Sequence, residues 1–377
     1  MSQILIIEDD FLFRKILRNI LQTQGYEVIE AASGSEALSK LSLISPALIL
    51  CDWDLPGLDG LAVCRLVKTN PRFYSVYFIL LTSYNTVEHQ VQGLDSGADD
   101  FLTKPIDVTK LGARIRAGLR THKAFEEQRR LTRVLESEIS EAADYLTSLL
   151  PPPMSGIVEV NSKFLPSRQL GGDCFDYRWL DQDWVVMYLL DVSGHGLGAA
   201  LLSASIQNIL KSQVLPNVNF YQPGLVLTAL NEAFSIEDSG RYFTIWYGVY
   251  DRQRRSLFYA SAGHPPAILF SGHKDDHQLR RLGVPAIPIG MMPETRYTTQ
   301  SCKIESNSTL YLFSDGVYEI QRSDGTMWSL EDWISFLRIH YDDTGSLTPD
   351  QIIKEIQEAA NIQEFDDDCS LLKVRFK

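Results

Sequence analysis

Thirty consecutive residues, 121 to 150, contain neither Gly nor Pro, and they run directly into Pro151-Pro152-Pro153. A helix can pass through the first stretch and cannot continue through the second, because proline lacks the N–H and its ring collides with the preceding turn. The chain therefore divides into an N-terminal body, a helical linker and a C-terminal body, with boundaries read at 1–120, 121–150 and 151–377. Within the linker Leu131, Leu135, Ile139, Ala142, Leu146 and Leu149 recur three or four residues apart, with charged residues between them. That spacing fits a coiled-coil seam, and equally one amphipathic helix packed on a neighbouring domain.

The bodies differ in texture. Upstream, short apolar runs (Ile4-Leu5-Ile6-Ile7, Glu27-Val28-Ile29, Ala47 to Leu50, Val76 to Leu81, Phe101-Leu102) alternate with helix-period segments such as Phe13 to Thr23, Ser35 to Leu43 and Val108 to Leu119. Five strands alternating with helices predict an α/β fold with a parallel sheet. Downstream, strand-like runs at 184–190, 242–250, 257–260, 309–313 and 370–376 outnumber two helical stretches, near 199–213 and 225–234. A mixed strand and helix domain is expected there.

Charge narrows the partners. The chain carries 35 Lys and Arg against 48 Asp and Glu, a net charge of −13, and from residue 151 onward 28 acids face 19 bases. Nucleic-acid surfaces need clustered cations, so no nucleic-acid partner is expected. Five scattered cysteines without C-x-x-C spacing fit a reducing compartment and imply neither zinc nor a disulfide framework. The first residues lack a signal-peptide pattern, and no segment reaches the ~18 apolar residues of a membrane helix. A cytoplasmic location without membrane attachment is the expectation.

In a parallel βα sheet, ligands bind where the strands end. The first run ends in Glu8-Asp9-Asp10, the third in Asp52, the fourth in Thr82-Ser83 and the fifth in Lys104-Pro105. One acid at a strand end can simply cap the next helix. Several carboxylates converging with an ammonium instead suit a hard cation such as Mg²⁺ and a carboxylate that accepts a phosphoryl group, with Asp52 as nucleophile and Lys104 neutralising the transferred oxygens.

These residues, together with Cys51-Asp52-Trp53-Asp54-Leu55-Pro56-Gly57 and Gly97-Ala98-Asp99-Asp100-Phe101-Leu102-Thr103-Lys104-Pro105, resemble the receiver domain of two-component response regulators. The resemblance implies a flavodoxin-like fold and Asp52 as phosphoacceptor. Mg²⁺ would be held by Glu8, Asp9, Asp52 and the Asp54 carbonyl. Lys104 would pair with the phosphoryl group, Thr82 and Phe101 would act as the switch pair, and a sensor histidine kinase would be the phosphoryl source.

The C-terminal part repeats the theme of acids in glycine-rich turns: Gly171-Gly172-Asp173, Asp191-Val192-Ser193-Gly194-His195-Gly196, Ser314-Asp315-Gly316 and Asp366-Asp367-Asp368-Cys369-Ser370. Glycine lets backbone approach an ion, and aspartates supply hard oxygen donors suited to Mg²⁺ or Mn²⁺. Two such ions would let water attack a phosphoryl group without a protein nucleophile. Any single Asp-Gly is more simply a turn, the reading preferred for Ser323-Asp324-Gly325. The full set, with Ala262-Gly263-His264-Pro265-Pro266, resembles the metal-dependent serine/threonine phosphatases of the PPM family in their bacterial sporulation and stress-response branch.

That resemblance implies a β-sandwich flanked by helices and two Mn²⁺ or Mg²⁺ ions held by Asp173, Asp191, the Val192 carbonyl, Asp315 and Asp367. Asp368 and His195 are secondary candidates, and the triple Asp leaves the ligand register open among Asp366, Asp367 and Asp368. It further implies a phosphoprotein substrate, commonly an anti-sigma-factor antagonist in a partner-switching pathway. A homodimer through receiver and linker would couple the two ends. The competing expectation is an adaptor whose phosphatase-like module sequesters a partner without turnover.

Overall fold

The computed structural model describes residues 2–83, 87–167, 170–273, 276–322, 325–341 and 347–377. The first two residues of the Ser323-Asp324-Gly325 turn lie outside them. The chain separates into two compact units, Met1–Glu136 and Ser137–Lys377.

The first unit holds β1 (Gln3–Ile7), α1 (Phe11–Thr23), β2 (Glu27–Ala31), α2 (Gly34–Leu41), β3 (Leu48–Asp52), α3 (Gly60–Lys68), β4 (Tyr77–Thr82), α4 (Val87–Asp95) and β5 (Asp100–Thr103). The strands form one parallel sheet in the order β2-β1-β3-β4-β5. The apolar runs are continuous because the sheet is buried on both faces. Leu5, Ile7, Ile49 and Cys51 enter the core on one side, and Ile4, Ile6, Leu48 and Leu50 the core on the other. This is the flavodoxin-like receiver fold. Helix α5 (Val108–Ser148) begins in this unit and runs 41 residues, so the segment from Val108 and the linker form one element.

The second unit contains β6 (Val158–Leu165), β7 (Cys174–Trp179), β8 (Trp184–Val192), α6 (Leu197–Ser212), α7 (Pro223–Ala233), α8 (Ile236–Ser239), β9 (Phe243–Asp251), β10 (Ser256–Ala262), β11 (Ala267–His273), β12 (Asp276–Leu282), β13 (Gln300–Lys303), β14 (Ser308–Phe313), α9 (Leu330–His340), α10 (Pro349–Ala360) and β15 (Cys369–Phe376). Two antiparallel sheets, β13-β10-β9-β8-β7 and β12-β11-β14-β15-β6, face each other across a core. Phe175, Met187, Leu189 and Trp246 from one sheet meet Leu269, Leu310, Leu312, Leu372 and Phe376 from the other. Helices α6 and α7 cover the outer face of the first sheet, and α9 and α10 that of the second. The unit is a β-sandwich flanked by helices.

Two helical stretches were expected here, and the structure corrects that number. Helices α9 and α10 each open on a capping box, Ser329 with Asp332 and Thr348 with Gln351, in which the cap and the third helical residue satisfy each other's backbone N–H groups. Both signals stand in the sequence, and the buried residues behind them, Trp333, Ile334 and Leu337 in α9 and Ile352, Ile353, Ile356 and Ala360 in α10, keep helical spacing.

Candidate functional site

Two acidic clusters stand at strand ends, one in each unit. In the receiver, Glu8, Asp9 and Asp52 each offer an oxygen within 4.8 Å of the others, and among the described residues this is the group compact enough to hold an ion through three or more such side chains. Lys104 Nζ lies 2.9 Å from both Glu8 Oε2 and Asp52 Oδ2. Burial pushes the Glu8 carboxyl up to about 7, opposed by the Lys104 hydrogen bond and reinforced by Asp52. For Lys104 burial acts against the ammonium, yet its two carboxylate partners hold its pKa above the usual lysine value.

Not every acid there joins the cluster. Asp10 caps α1, accepting from the Leu12 and Phe13 N–H groups at 2.8 and 3.0 Å, and Asp59 caps α3. Asp54 is exposed beyond the end of β3. Thr82 is buried at the end of β4, its carbonyl accepting from the Lys104 N–H at 2.7 Å, and Phe101 packs half-buried against the core beside it.

In the second unit the topology gathers the acids. Asp173 precedes β7 and Asp191 lies at the end of β8, its antiparallel neighbour. Asp315 follows β14, and Asp367 and Asp368 precede β15, which pairs with it. Each sheet thus delivers acids to the same end of the sandwich. Both carboxylate oxygens of Asp173 are buried without a hydrogen-bond partner. Burial, then Asp191, then Asp368 push its pKa well above the usual carboxylate range, and the nearby Ser314 and Ser370 hydroxyls offset little of this. Burial first, then Asp315 and Asp367, raise Asp191 to about 8, while burial and Asp367 raise Asp315 to about 6. A buried carboxylate without a donor beside other carboxylates is unfavourable unless a proton or a cation joins it. The chemistry of this oxygen donor set suits a divalent cation, although among the described residues it is the receiver acids that stand within 4.8 Å of one another.

The triple Asp divides its tasks. Asp368 is buried and fully engaged: Oδ1 accepts from the Ser167 N–H at 2.9 Å and its hydroxyl at 3.1 Å, and Oδ2 from the Gly172 N–H at 2.6 Å. A Cβ on Gly171 would stand 2.5 Å from Asp368 Oδ2, so this packing requires glycine there. Asp366 and Asp367 are exposed, and Asp367 is the one that acts electrostatically on both Asp191 and Asp315. His195 is exposed between two left-handed glycines, Gly194 (φ +84°) and Gly196 (φ +81°). His264 is buried, its Nδ1 donating to the Pro265 carbonyl at 3.0 Å, and burial depresses its pKa to about 4, which favours the neutral ring. The sequence reading missed Arg241, whose Nη1 donates to the Ser193 carbonyl at 2.6 Å across 48 residues of chain.

The sequence model of the Stage II sporulation protein E (SpoIIE) family matches residues 181–377, and that of the response regulator receiver domain matches residues 4–116. The chain belongs to the SpoIIE family. It joins a receiver domain to a SpoIIE-type phosphatase domain of the PPM class, a class generally dependent on Mn²⁺ or Mg²⁺. Its SpoIIE part is similar in fold to the SiaA-PP2C domain of Pseudomonas aeruginosa, with a TM-score of 0.56 and 19% identity over 66% of this chain and 99% of that one. The regulator of RpoS from Escherichia coli K12 is 28% identical over 276 residues, 70% of this chain and 81% of that protein. The DNA-binding dual master transcriptional regulator RpaA of Synechocystis is 38% identical over 120 residues, 32% of this chain and 50% of that protein. The chain spans about half the length of the first curated relatives it matches. Among the described residues no helix is long and apolar enough to cross a membrane.

Proposed function

We propose that this chain is a response regulator whose receiver, phosphorylated on Asp52 by a histidine kinase, controls a metal-dependent phosphoserine/phosphothreonine phosphatase. The observation that carries it is the buried Asp173 carboxylate, without a hydrogen-bond donor where four strand ends meet. Asp173, Asp191, the Val192 carbonyl, Asp315 and Asp367 would hold two Mn²⁺ or Mg²⁺ ions, and bound there the ions would activate water and neutralise the phosphoryl oxygens. The position of Asp367 beside Asp191 and Asp315, with Asp368 engaged elsewhere, supports Asp367 as the ligand of the triple Asp. His195 has a secondary role at the rim of this site.

In the receiver, Glu8, Asp9, Asp52 and the Asp54 carbonyl would hold Mg²⁺. Lys104 keeps Asp52 oriented and faces the incoming phosphoryl oxygens. Thr82 and Phe101 form the switch pair. The working division is receiver 1–120, linker 121–150 and phosphatase 151–377. Exposed Leu131, Val134 and Leu135 on α5 support a linker that pairs with a second copy, giving a homodimer through receiver and linker. Near its end, Ala143, Leu146, Leu149 and Leu150 line a small cavity that Asp173 also lines, a route by which the linker reaches the phosphatase site. The substrate is a phosphorylated protein, an anti-sigma-factor antagonist, and the compartment is the cytoplasm.

Hydrolysis of p-nitrophenyl phosphate by the full chain with Mn²⁺, with and without beryllofluoride, beside Asp315→Ala, tests this. Metal-dependent turnover that the substitution removes and beryllofluoride changes is the expected result. A second reading, an adaptor without turnover, is favoured by the likeness over both parts of the chain to a protein named only as a regulator. Absence of turnover in every state, without Mn²⁺ binding to the second unit, would establish that reading instead.

A further inference from the structure

We propose that Arg241 is a positioning residue that sets the Val192 carbonyl toward the metal site. The inference rests on the reading of the C-terminal acids as a divalent-ion site. Strand β8 ends at Val192, and the next residue is pinned from three sides. The Ser193 N–H donates to the Tyr242 carbonyl at 2.9 Å, its Oγ accepts from the Tyr242 N–H at 3.1 Å, and its carbonyl accepts from Arg241 Nη1 at 2.6 Å.

The Ser193 carbonyl belongs to the planar peptide that leads into Gly194, directly after Val192, so holding it restrains the turn that follows the strand. While the Ser193 carbonyl is held by Arg241, the carbonyl oxygens of Val192 and Gly194 lie against Gly172, in the turn that carries Asp173. A Cβ on Gly172 would stand 2.6 Å from Val192 O and 3.3 Å from Gly194 O.

The guanidinium has a bed made for it. A Cβ on Gly194 would lie 2.6 Å from Nη1, and one on Gly198 3.1 Å from Nη2. Glycine at both positions leaves room for a flat group along the start of α6, and Ser193 supplies the acceptor. A lysine ammonium, a single point of charge, cannot fill this space and hold the carbonyl in the same way. Arg241 thus acts on the ion through the Ser193 peptide, without touching substrate.

Mn²⁺ binding to the full chain, read from the electron paramagnetic resonance of free Mn²⁺, tests the assignment. An Asp9→Asn background removes one receiver ligand and leaves the second unit to be counted. Arg241→Met should weaken the second unit's Mn²⁺ binding by about 10-fold or more, the usual size of a lost outer partner. Arg241→Lys should fall between, and the thermal midpoint of the metal-free protein should hold. Wild-type Mn²⁺ affinity in folded Arg241→Met would overturn the proposal. Should that variant not fold, a folded Arg241→Lys variant decides: weakened binding supports the assignment and unchanged binding overturns it. A parent protein whose second unit binds no Mn²⁺ would instead overturn the metal-site reading, and this inference with it.

Discussion

At Gly60 a single missing methyl decides whether β3 can end at Asp52 as it does. A Cβ there would lie 2.2 Å from the Asp52 carbonyl oxygen and 3.0 Å from Trp53 Cα, both backbone atoms that cannot step aside. Gly60→Ala should therefore cost about 1–3 kcal/mol, the range for forced overpacking, and slow phosphoryl uptake by Asp52 from acetyl phosphate. Unchanged stability in urea would contradict it. His264 gives a second residue-scale test. Burial holds its folded pKa near 4, below the ordinary 6.5, so the unfolded chain binds the extra proton. The stability this contributes is present above about pH 6.5 and is lost as pH falls toward 4, up to about 3 kcal/mol. His264→Asn, which keeps a donor for the Pro265 carbonyl, should flatten that part of the pH profile of the second unit's unfolding. Residue identity made Glu8, Asp52, Lys104, Asp173 and Asp191 legible in the sequence, because acids and glycines stand together in short motifs. Arg241 was not legible: its partner is 48 residues away, and a lone arginine beside a strand carries no local signal.

Elements were legible where burial is two-sided or periodic. The receiver strands read as unbroken apolar runs because both faces of their sheet are covered. In the sandwich, β7 alternates Phe175 and Tyr177 inward with Cys174 and Asp176 outward, and this mixed pattern conceals a strand whose outer face carries a buried Asp. Helix α5 presents the reverse case, since its period is visible while its apolar residues Leu131 and Leu135 remain 49% and 58% exposed. A helix turns about 100° per residue, so three residues inserted near Gln128 would swing the downstream seam by about 60°, whereas seven would nearly restore it. The three-residue insertion should abolish the effect of beryllofluoride on hydrolysis while basal turnover persists, and the seven-residue insertion should keep the effect. A normal response in the three-residue variant would end the case for the linker as coupling element.

At the scale of the whole molecule, the two units bury separate cores. Among the described residues, those of the first unit form two hydrophobic clusters and those of the second form three. Each unit also carries its own acidic cluster, one compensated by Lys104 and the other lacking a cation among its described contacts. A ligand stabilises the unit it binds by mass action, about 2.7 kcal/mol at 100 times its Kd. Calorimetry of the metal-free full chain should accordingly resolve two transitions. Mn²⁺ should raise the one belonging to the second unit strongly, because it relieves repulsion around buried Asp173, and Asp315→Ala should remove most of that rise. Mg²⁺ with beryllofluoride should raise the receiver transition, and Asp52→Asn should cancel it. The two substitutions should not exchange effects, since Asp52 and Asp315 belong to different cores. A single transition shifted equally by both ligands would mean that the units unfold as one cooperative body.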